Sequence, residues 1–316
     1  MRSVDFADVH AAVQRLRDKV VHPPLVGMDG EPDLLLKPEN LQRIGAFKIR
    51  GASNAIACLS ADQRQAGVVA YSSGNHAAAV AAAAAEAGVS ATIVIEDSAP
   101  TLKVDRTTAL GAEVLLVPAE ARECTAERIA ADSGATLIAP FDDPVVIAGQ
   151  GTIGVEIAEA APEVRRIYVP ISGGGLAAGI GIALRELLPA ARVIGVEPEL
   201  AGDTCASWHA GTLTRWPRDR RAQTSADALR GQPSELTFAI LRQVLHDVRT
   251  VSEREIGDAV RALALRARIV AEPGGAVGVA AYLRERPAGC SVAVVSGGNI
   301  DPALLSSLLA EVPEAR

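Results

Sequence analysis

The chain has 316 residues, 49% of them hydrophobic, 22% charged and only 3% aromatic, which describes a globular protein of about two domains with a core of Ala, Val, Leu and Ile. A net charge of −7 argues against a nucleic-acid surface or an anionic membrane face. The opening Met1-Arg2-Ser3-Val4-Asp5 has no apolar run of the kind a secretory signal needs, and the most apolar stretch, 77–85, is mostly alanine and too short to span a bilayer, so a soluble cytoplasmic protein is expected.

In chain order, the patterning predicts a helix over 4–19, a strand over 34–37, a helix over 47–59, a strand over 68–72, a helix over 75–87 and a strand over 90–95. A helix over 101–110, a strand over 113–117, a helix over 125–133 and a strand over 136–138 follow. Then come a helix over 150–160, a strand over 166–170, a helix over 176–187 and a strand over 192–197. The last elements are helices over 236–244, 253–267 and 275–284 and a strand over 291–296. Short β-branched runs alternating with Ala-rich helical stretches predict an α/β fold with parallel sheet. The segment 202–234 has no clean period, and a stretch that long without one is usually functional or mobile. Cys58, Cys124, Cys205 and Cys290 are scattered without metal-ligand spacing and read as small buried hydrophobes in a reducing compartment.

Lysine is scarce. Lysine and arginine together number 31, and only Lys19, Lys37, Lys48 and Lys103 are lysines. Where charge alone is wanted the chain uses arginine, so a lysine set among small and apolar neighbours, as in Gly45-Ala46-Phe47-Lys48-Ile49-Arg50-Gly51-Ala52, points to amine chemistry.

Three polar, glycine-bearing turns each follow an apolar run: Ser72-Ser73-Gly74-Asn75-His76, Ser172-Gly173-Gly174-Gly175-Leu176 and Ser296-Gly297-Gly298-Asn299. The first two open predicted helices, where converging backbone N–H groups and the helix dipole favour an anion. Two such openings fit a ligand with two anionic ends. The second turn also matches a dinucleotide fingerprint, with Glu197 ending the next strand. Against that alternative, Pro198 follows Glu197 directly, and a nicotinamide site leaves Lys48 and the first turn unexplained.

Taken with Lys37-Pro38-Glu39-Asn40-Leu41-Gln42-Arg43, Phe47-Lys48-Ile49-Arg50-Gly51-Ala52 and Val146-Ile147-Ala148-Gly149-Gln150-Gly151-Thr152, the three turns resemble the fold-type II pyridoxal-phosphate (PLP) enzymes. The likeness is to the threonine dehydratase / serine racemase family and runs in order over about residues 20 to 302. It implies a tryptophan synthase β-like fold, with two three-layer α/β domains and PLP in the cleft between them. The larger domain is expected at 1–66 and 144–316 and the smaller at 67–143. The resemblance makes Lys48 the Schiff-base residue and the base at Cα. It places the phosphate at Ser172, Gly173, Gly174, Gly175 and Leu176, Asn75 at the ring hydroxyl and Ser296 at the ring nitrogen. The substrate carboxylate falls at Ser72, Ser73, Gly74, Asn75 and His76.

The activity implied is water elimination from L-threonine or L-serine to give a 2-oxo acid and ammonia. Serine racemase and 3-hydroxyaspartate dehydratase are the near alternatives, and PLP β-replacement is a further one. Ser73 bears on the choice, because a hydroxyl opposite Lys48 permits proton transfer on the second face of Cα; an N-cap serine is the plain alternative. Glu197, the Ala201 carbonyl and Asp203 match a divalent-cation site (Mg, Mn or Ca) of the racemase-like branch. A homodimer is the family expectation. The chain departs from the family pattern at Ile44-Gly45-Ala46, which lacks two hydroxyls, and at Ala226-Asp227-Ala228. Glu272 matches a family segment near the ring.

Overall fold

The computed structural model describes residues 4–310. Helix α1 (Phe6–Leu16) precedes a hairpin of β1 (Val26–Met28) and β2 (Glu31–Pro38), then α2 (Lys48–Ala57) and α3 (Ala61–Ala66). Next come β3 (Val68–Tyr71), α4 (Asn75–Ala87), β4 (Ala91–Glu96), α5 (Thr101–Ala109), β5 (Glu113–Val117), α6 (Arg122–Ser133) and β6 (Thr136–Leu137). The chain continues through α7 (Pro144–Ala160), β7 (Arg166–Pro170), α8 (Gly175–Leu187), β8 (Arg192–Pro198), α9 (Asp203–Ala210), α10 (Arg218–Arg221) and α11 (Glu235–Val244). It closes with β9 (Asp247–Val251), α12 (Glu253–Ala262), α13 (Pro273–Glu285), β10 (Ser291–Val295) and α14 (Pro302–Ala310).

The strands form a six-stranded sheet, ordered β1-β2-β10-β7-β8-β9, and a four-stranded sheet, ordered β5-β4-β3-β6. Among the strands of the described residues only the β1–β2 pair is antiparallel. Parallel strands buried on both faces need apolar side chains on both, and the central strands alternate accordingly. Ile167, Val169, Val193, Val292 and Val294 face one cluster with α7, α8 and α11, whereas Tyr168, Ile194, Val196, Ala293 and Val295 face the other with α12 and α13. The smaller sheet packs α2 and α4 on one face through Val68, Ala70, Ile93 and Ile95, and α6 on the other through Val69 and Val94. Each sheet is thus the middle of three layers.

Some predicted elements change. Helix α7 begins at Pro144 rather than 150, because Asp143 caps Val145 and Val146 N–H (2.7 and 3.4 Å) and Pro144 suits the first turn. Gly149 and Gly151 sit inside it as contact residues. A Cβ on Gly149 would lie 2.8 Å from the Arg50 carbonyl, so glycine is what lets α7 cross α2 closely. The 253–267 helix ends at Ala262 and continues as one turn of π-helix, Leu263–Ala267. Strand β9, unpredicted, is an edge strand whose Asp247 and Arg249 pair on its outer face (2.9 Å). Cys58 and Cys124 are exposed rather than buried.

The 202–234 segment folds through its own arginines. Arg220 stacks on the Trp216 ring at 3.3 Å, Arg221 donates to the Trp216 and Arg230 carbonyls, and Arg230 donates to Thr224 O (2.7 Å). Gly231 N–H then donates to Ser172 Oγ (2.9 Å), which docks the segment on the second glycine turn.

Helix α2 is held by a buried ion network. The Arg50 side chain is 0% exposed and donates to both Glu39 oxygens (2.7 and 2.8 Å), to both Glu156 oxygens (2.5 and 2.9 Å) and to Thr152 Oγ1 (3.1 Å). Lys37 adds a 2.5 Å contact to Glu156. Burial alone would lower the Arg50 pKa, but Glu39 and Glu156 more than offset it and raise it. Burial likewise pushes Glu156 up, and Arg50 with Lys37 pulls it down further. The network joins the end of β2, the first turn of α2 and α7, and so fixes the helix that carries Lys48.

Candidate active site

Lys48 opens α2, and its Nζ donates to the Pro140 carbonyl at 2.5 Å with the Phe47 ring 5.2 Å away. The residue keeps partial exposure, but burial of the amine lowers its pKa from 10.5 to about 8. Near neutral pH a usable fraction is therefore the free nucleophile.

Two of the predicted turns pack against the segments that flank this lysine or hold its amine. The third turn docks on the segment before it: Phe47 N–H donates to Ser296 O (3.0 Å), Gly298 N–H donates to Gly45 O (2.9 Å), and Ala46 bridges Gly297. The second turn reaches it through the loop after β6. Phe141 follows Pro140 and lies against Gly173 and Gly175, so close that a Cβ on Gly173 would stand 2.1 Å from the ring. Gly174, with φ at +91°, makes the left-handed step that starts α8, and Leu176 is buried in the first turn.

The first turn is joined to the third by side chains. Asn299 Nδ2 donates to Asn75 Oδ1 (2.6 Å), and Asn75 Nδ2 donates to Glu272 Oε1 (2.8 Å). Glu272 is buried, and burial first and Asp227 second raise its pKa to about 7. His76 donates through Nε2 to Ile138 O (2.8 Å); burial and the nearby Lys48 charge lower its pKa to about 3, so it is neutral, and its Nδ1 has no partner among the described residues. Gly74 N–H donates to Ser72 Oγ (3.1 Å), and a side chain at Gly74 would meet only open space. Ser73 does not cap α4, which starts without a side-chain cap; its Oγ donates instead to Glu96 Oε1 (3.2 Å). Glu96, Arg122, Arg218 and Pro140 were not predicted from the sequence, because their proximity to the turns arises only in three dimensions.

Glu197, Ala201 and Asp203 lie together and buried where β8 passes into α9. Glu197 accepts from Thr204 and Cys205 N–H (3.2 and 2.8 Å), capping α9, which leaves it no access to a ribose and removes the basis of the dinucleotide alternative. Both Asp203 carboxylate oxygens are buried and make no well-formed hydrogen bond among the described residues, although Gln232 and the charges of Arg221 and Arg215 partly offset the effect of burial. Burial, followed by repulsion from Asp203, raises the Glu197 pKa well above its ordinary value, and burial raises Asp203 to about 6. Among the described residues no group of three or more His, Cys, Asp or Glu could hold a metal ion, and no helix is long and apolar enough to cross a membrane.

Residues 20–297 match the family model described as "Pyridoxal-phosphate dependent enzyme". The chain is 45% identical to L-threonine ammonia-lyase of Thermotoga maritima, over 88% of this chain and 70% of that one. It is 39% identical to L-threo-3-hydroxyaspartate ammonia-lyase of Saccharomyces cerevisiae, over 96% of each. Among solved structures, maize serine racemase superimposes with a TM-score of 0.92 at 36% identity, covering 97% of both chains. The T.th. threonine deaminase gives 0.87 at 39% identity, covering 94% of this chain and 99% of that one. With a lysine amine of lowered pKa set among glycine turns, and a family match spanning nearly the whole chain, this protein belongs to the pyridoxal-phosphate-dependent enzymes of fold type II.

Proposed function

We propose that the protein is a PLP-dependent ammonia-lyase that removes water from L-threonine or L-serine to give a 2-oxo acid and ammonia. The observation that carries this reading is the Lys48 amine, desolvated and bonded to Pro140 O, with the neighbouring Phe47 N–H bonded to Ser296 O. The residues fit the cofactor. The glycine turn admits no side chain beside Phe141 and presents the N-terminus of α8 to a phosphate. When bound, PLP supplies a conjugated ring that draws electrons from the substrate Cα.

The chain's own residues do the rest. Ser172, Gly173, Gly174, Gly175 and Leu176 hold the phosphate, Asn75 and Ser296 flank the ring, and Ser72 to His76 take the substrate carboxylate at the start of α4. Lys48 removes the Cα proton. Ser73 is the proton-handling group on the opposite face. Because its hydroxyl is turned to Glu96 and not spent as a cap, racemisation of serine or dehydration of 3-hydroxyaspartate is the second reading. Relatives named for both kinds of activity support it. The test is oxo-acid release from L-threonine, L-serine and both 3-hydroxyaspartate diastereomers. Turnover of L-threonine or L-serine is expected, and silence across the panel would overturn the reading.

The division into a larger unit, 1–66 with 144–316, and a smaller one, 67–143, is supported by the four-stranded sheet lying entirely within β3 to β6. A cytoplasmic homodimer completes the proposal; exposed Leu41, Leu102 and Val270 give such a pairing apolar surface to cover, and light scattering measures it.

Glu197, the Ala201 carbonyl and Asp203 are proposed to bind Mg²⁺, Mn²⁺ or Ca²⁺. Two buried carboxylates, Glu197 repelled by Asp203 and Asp203 without a well-formed hydrogen bond among the described residues, are what a hard dication relieves. EDTA is expected to lower the melting temperature and a divalent cation to restore it, by roughly 3 kcal/mol of stability at a hundredfold excess over its Kd. Asp203→Asn should remove the response. No response to any of the three cations in the unaltered protein would refute the site.

A further inference from the structure

We propose that Glu96 is a positioning residue for Ser73, and that the two form a proton relay serving the face of the substrate away from Lys48. This rests on the reading of Ser73 given above.

The placement follows from sheet register. Strands β3 and β4 run parallel with Tyr71 opposite Val94, and Ser72 N–H continues the ladder to Val94 O (3.1 Å). Two residues further along each strand, Ser73 and Glu96 come level at the same sheet end, where Ser73 Oγ donates to Glu96 Oε1 at 3.2 Å. The carboxylate is held from behind. Its Oε2 takes Arg218 at 3.0 Å from α10 and Arg122 at 3.5 Å from α6, which leaves Oε1 for the serine. The usual competitor for a serine at a helix start, a backbone N–H in the first turn, is not taken up by Ser73, and the local turn is closed by Ser72 Oγ instead.

A serine hydroxyl carries one proton and two lone pairs. With the proton committed to Glu96, a lone pair is left to accept, which a freely rotating hydroxyl does not guarantee. In the step assigned, the Cα–H bond breaks and a new O–H bond forms on Ser73 Oγ. The proton already on that oxygen passes to Glu96 Oε1, and the C–H bonding pair stays with the substrate. Run in reverse after Lys48 has acted on the other face, the same relay delivers a proton and inverts Cα. The ion pairs to Arg122 and Arg218 hold the Glu96 carboxylate in place between turnovers.

The experiment uses the PLP-loaded full chain in ²H₂O, following deuterium incorporation at Cα of D-serine and of L-serine by mass spectrometry. Glu96→Gln is expected to lower the D-to-L exchange ratio by roughly tenfold or more, within the range a positioned proton-transfer group contributes. Glu96→Asp should recover part of it. Independently of turnover, a crystal structure of cofactor-free Glu96→Ala should show Ser73 Oγ rotated onto a backbone N–H of α4. Ser73→Ala separates the two readings. If Ser73→Ala leaves the ratio unchanged, the role of Ser73 fails and the relay with it. If Ser73→Ala collapses the ratio while Glu96→Gln does not, the relay alone is overturned. An equal fall in both enantiomers in Glu96→Gln also overturns it, because that is the mark of a structural loss.

Discussion

Lys48→Ala is expected to abolish turnover, by about 10⁴-fold, the upper end of what a positioned base contributes, because the same amine also anchors the cofactor. The variant should stay folded, since the amine makes one hydrogen bond, to Pro140 O, and its burial opposes its charge. Borohydride treatment of loaded protein followed by peptide mapping should fix PLP on Lys48 in the unaltered chain and nowhere in the variant. The rate at which cofactor-free protein captures PLP should rise with pH through about 8, where the neutral amine appears, and not wait until 10.5. The sign for stability is opposite to that of a paired lysine. The folded-state pKa lies below the unfolded value, so holding the charge costs stability below about pH 8, and the cost fades as pH rises from 8 toward 10.5. Removing the charge with Lys48→Met should therefore raise the melting temperature of cofactor-free protein at pH 7, with the gain shrinking at pH 10. A capture profile centred near 10.5 would show that the amine is not desolvated.

Arg50→Met is expected to cost about 3–5 kcal/mol of folding stability, the range for removing one partner of a buried ion pair. Glu39 would be left with no exposure and without its fork, and Glu156 would keep only Lys37 and His22. Arg50→Lys should lose nearly as much, because one ammonium cannot serve two carboxylates in the planes a guanidinium reaches. Urea denaturation of cofactor-free protein measures both. Replacing Glu39, Glu156 and Arg50 together with apolar residues should recover part of the loss, since the penalty is mostly that of a stranded charge. Activity should fall with Arg50→Met even where the protein folds, because Arg50 sits two residues from Lys48 in the first turn of α2.

What the sequence discloses and what it hides divide along physical lines. Lys48 and the three glycine turns are contiguous signals: each is a run of residues whose backbone freedom or amine chemistry is local, and the alternation of strands and helices is local too. Glu96 reaches Ser73 through strand register, Arg218 reaches Glu96 across 122 residues, and Pro140 reaches Lys48 across 92. No periodicity carries that information. Helix α9 was invisible for a related reason: its cap is the Glu197 carboxylate from the preceding strand, and not a residue at its own start. The opening of α7 was legible in Asp143-Pro144 and was lost because Gly149 and Gly151 imitate a loop, when their actual service is close contact between helices.

The scarcity of lysine has a consequence for how selectively the cofactor is loaded. An aldehyde such as PLP condenses with any accessible neutral amine, so in most proteins many surface lysines compete for it. Here Lys37 is enclosed, bonded to Pro23 O and Glu156, so besides Lys48 only Lys19 and Lys103 offer side-chain amines to divert the reagent. Because surface charge is carried by arginine, excess PLP is expected to find only Lys19 and Lys103 as further side-chain amines outside the enclosed Lys37, a count that mass spectrometry of borohydride-treated protein checks.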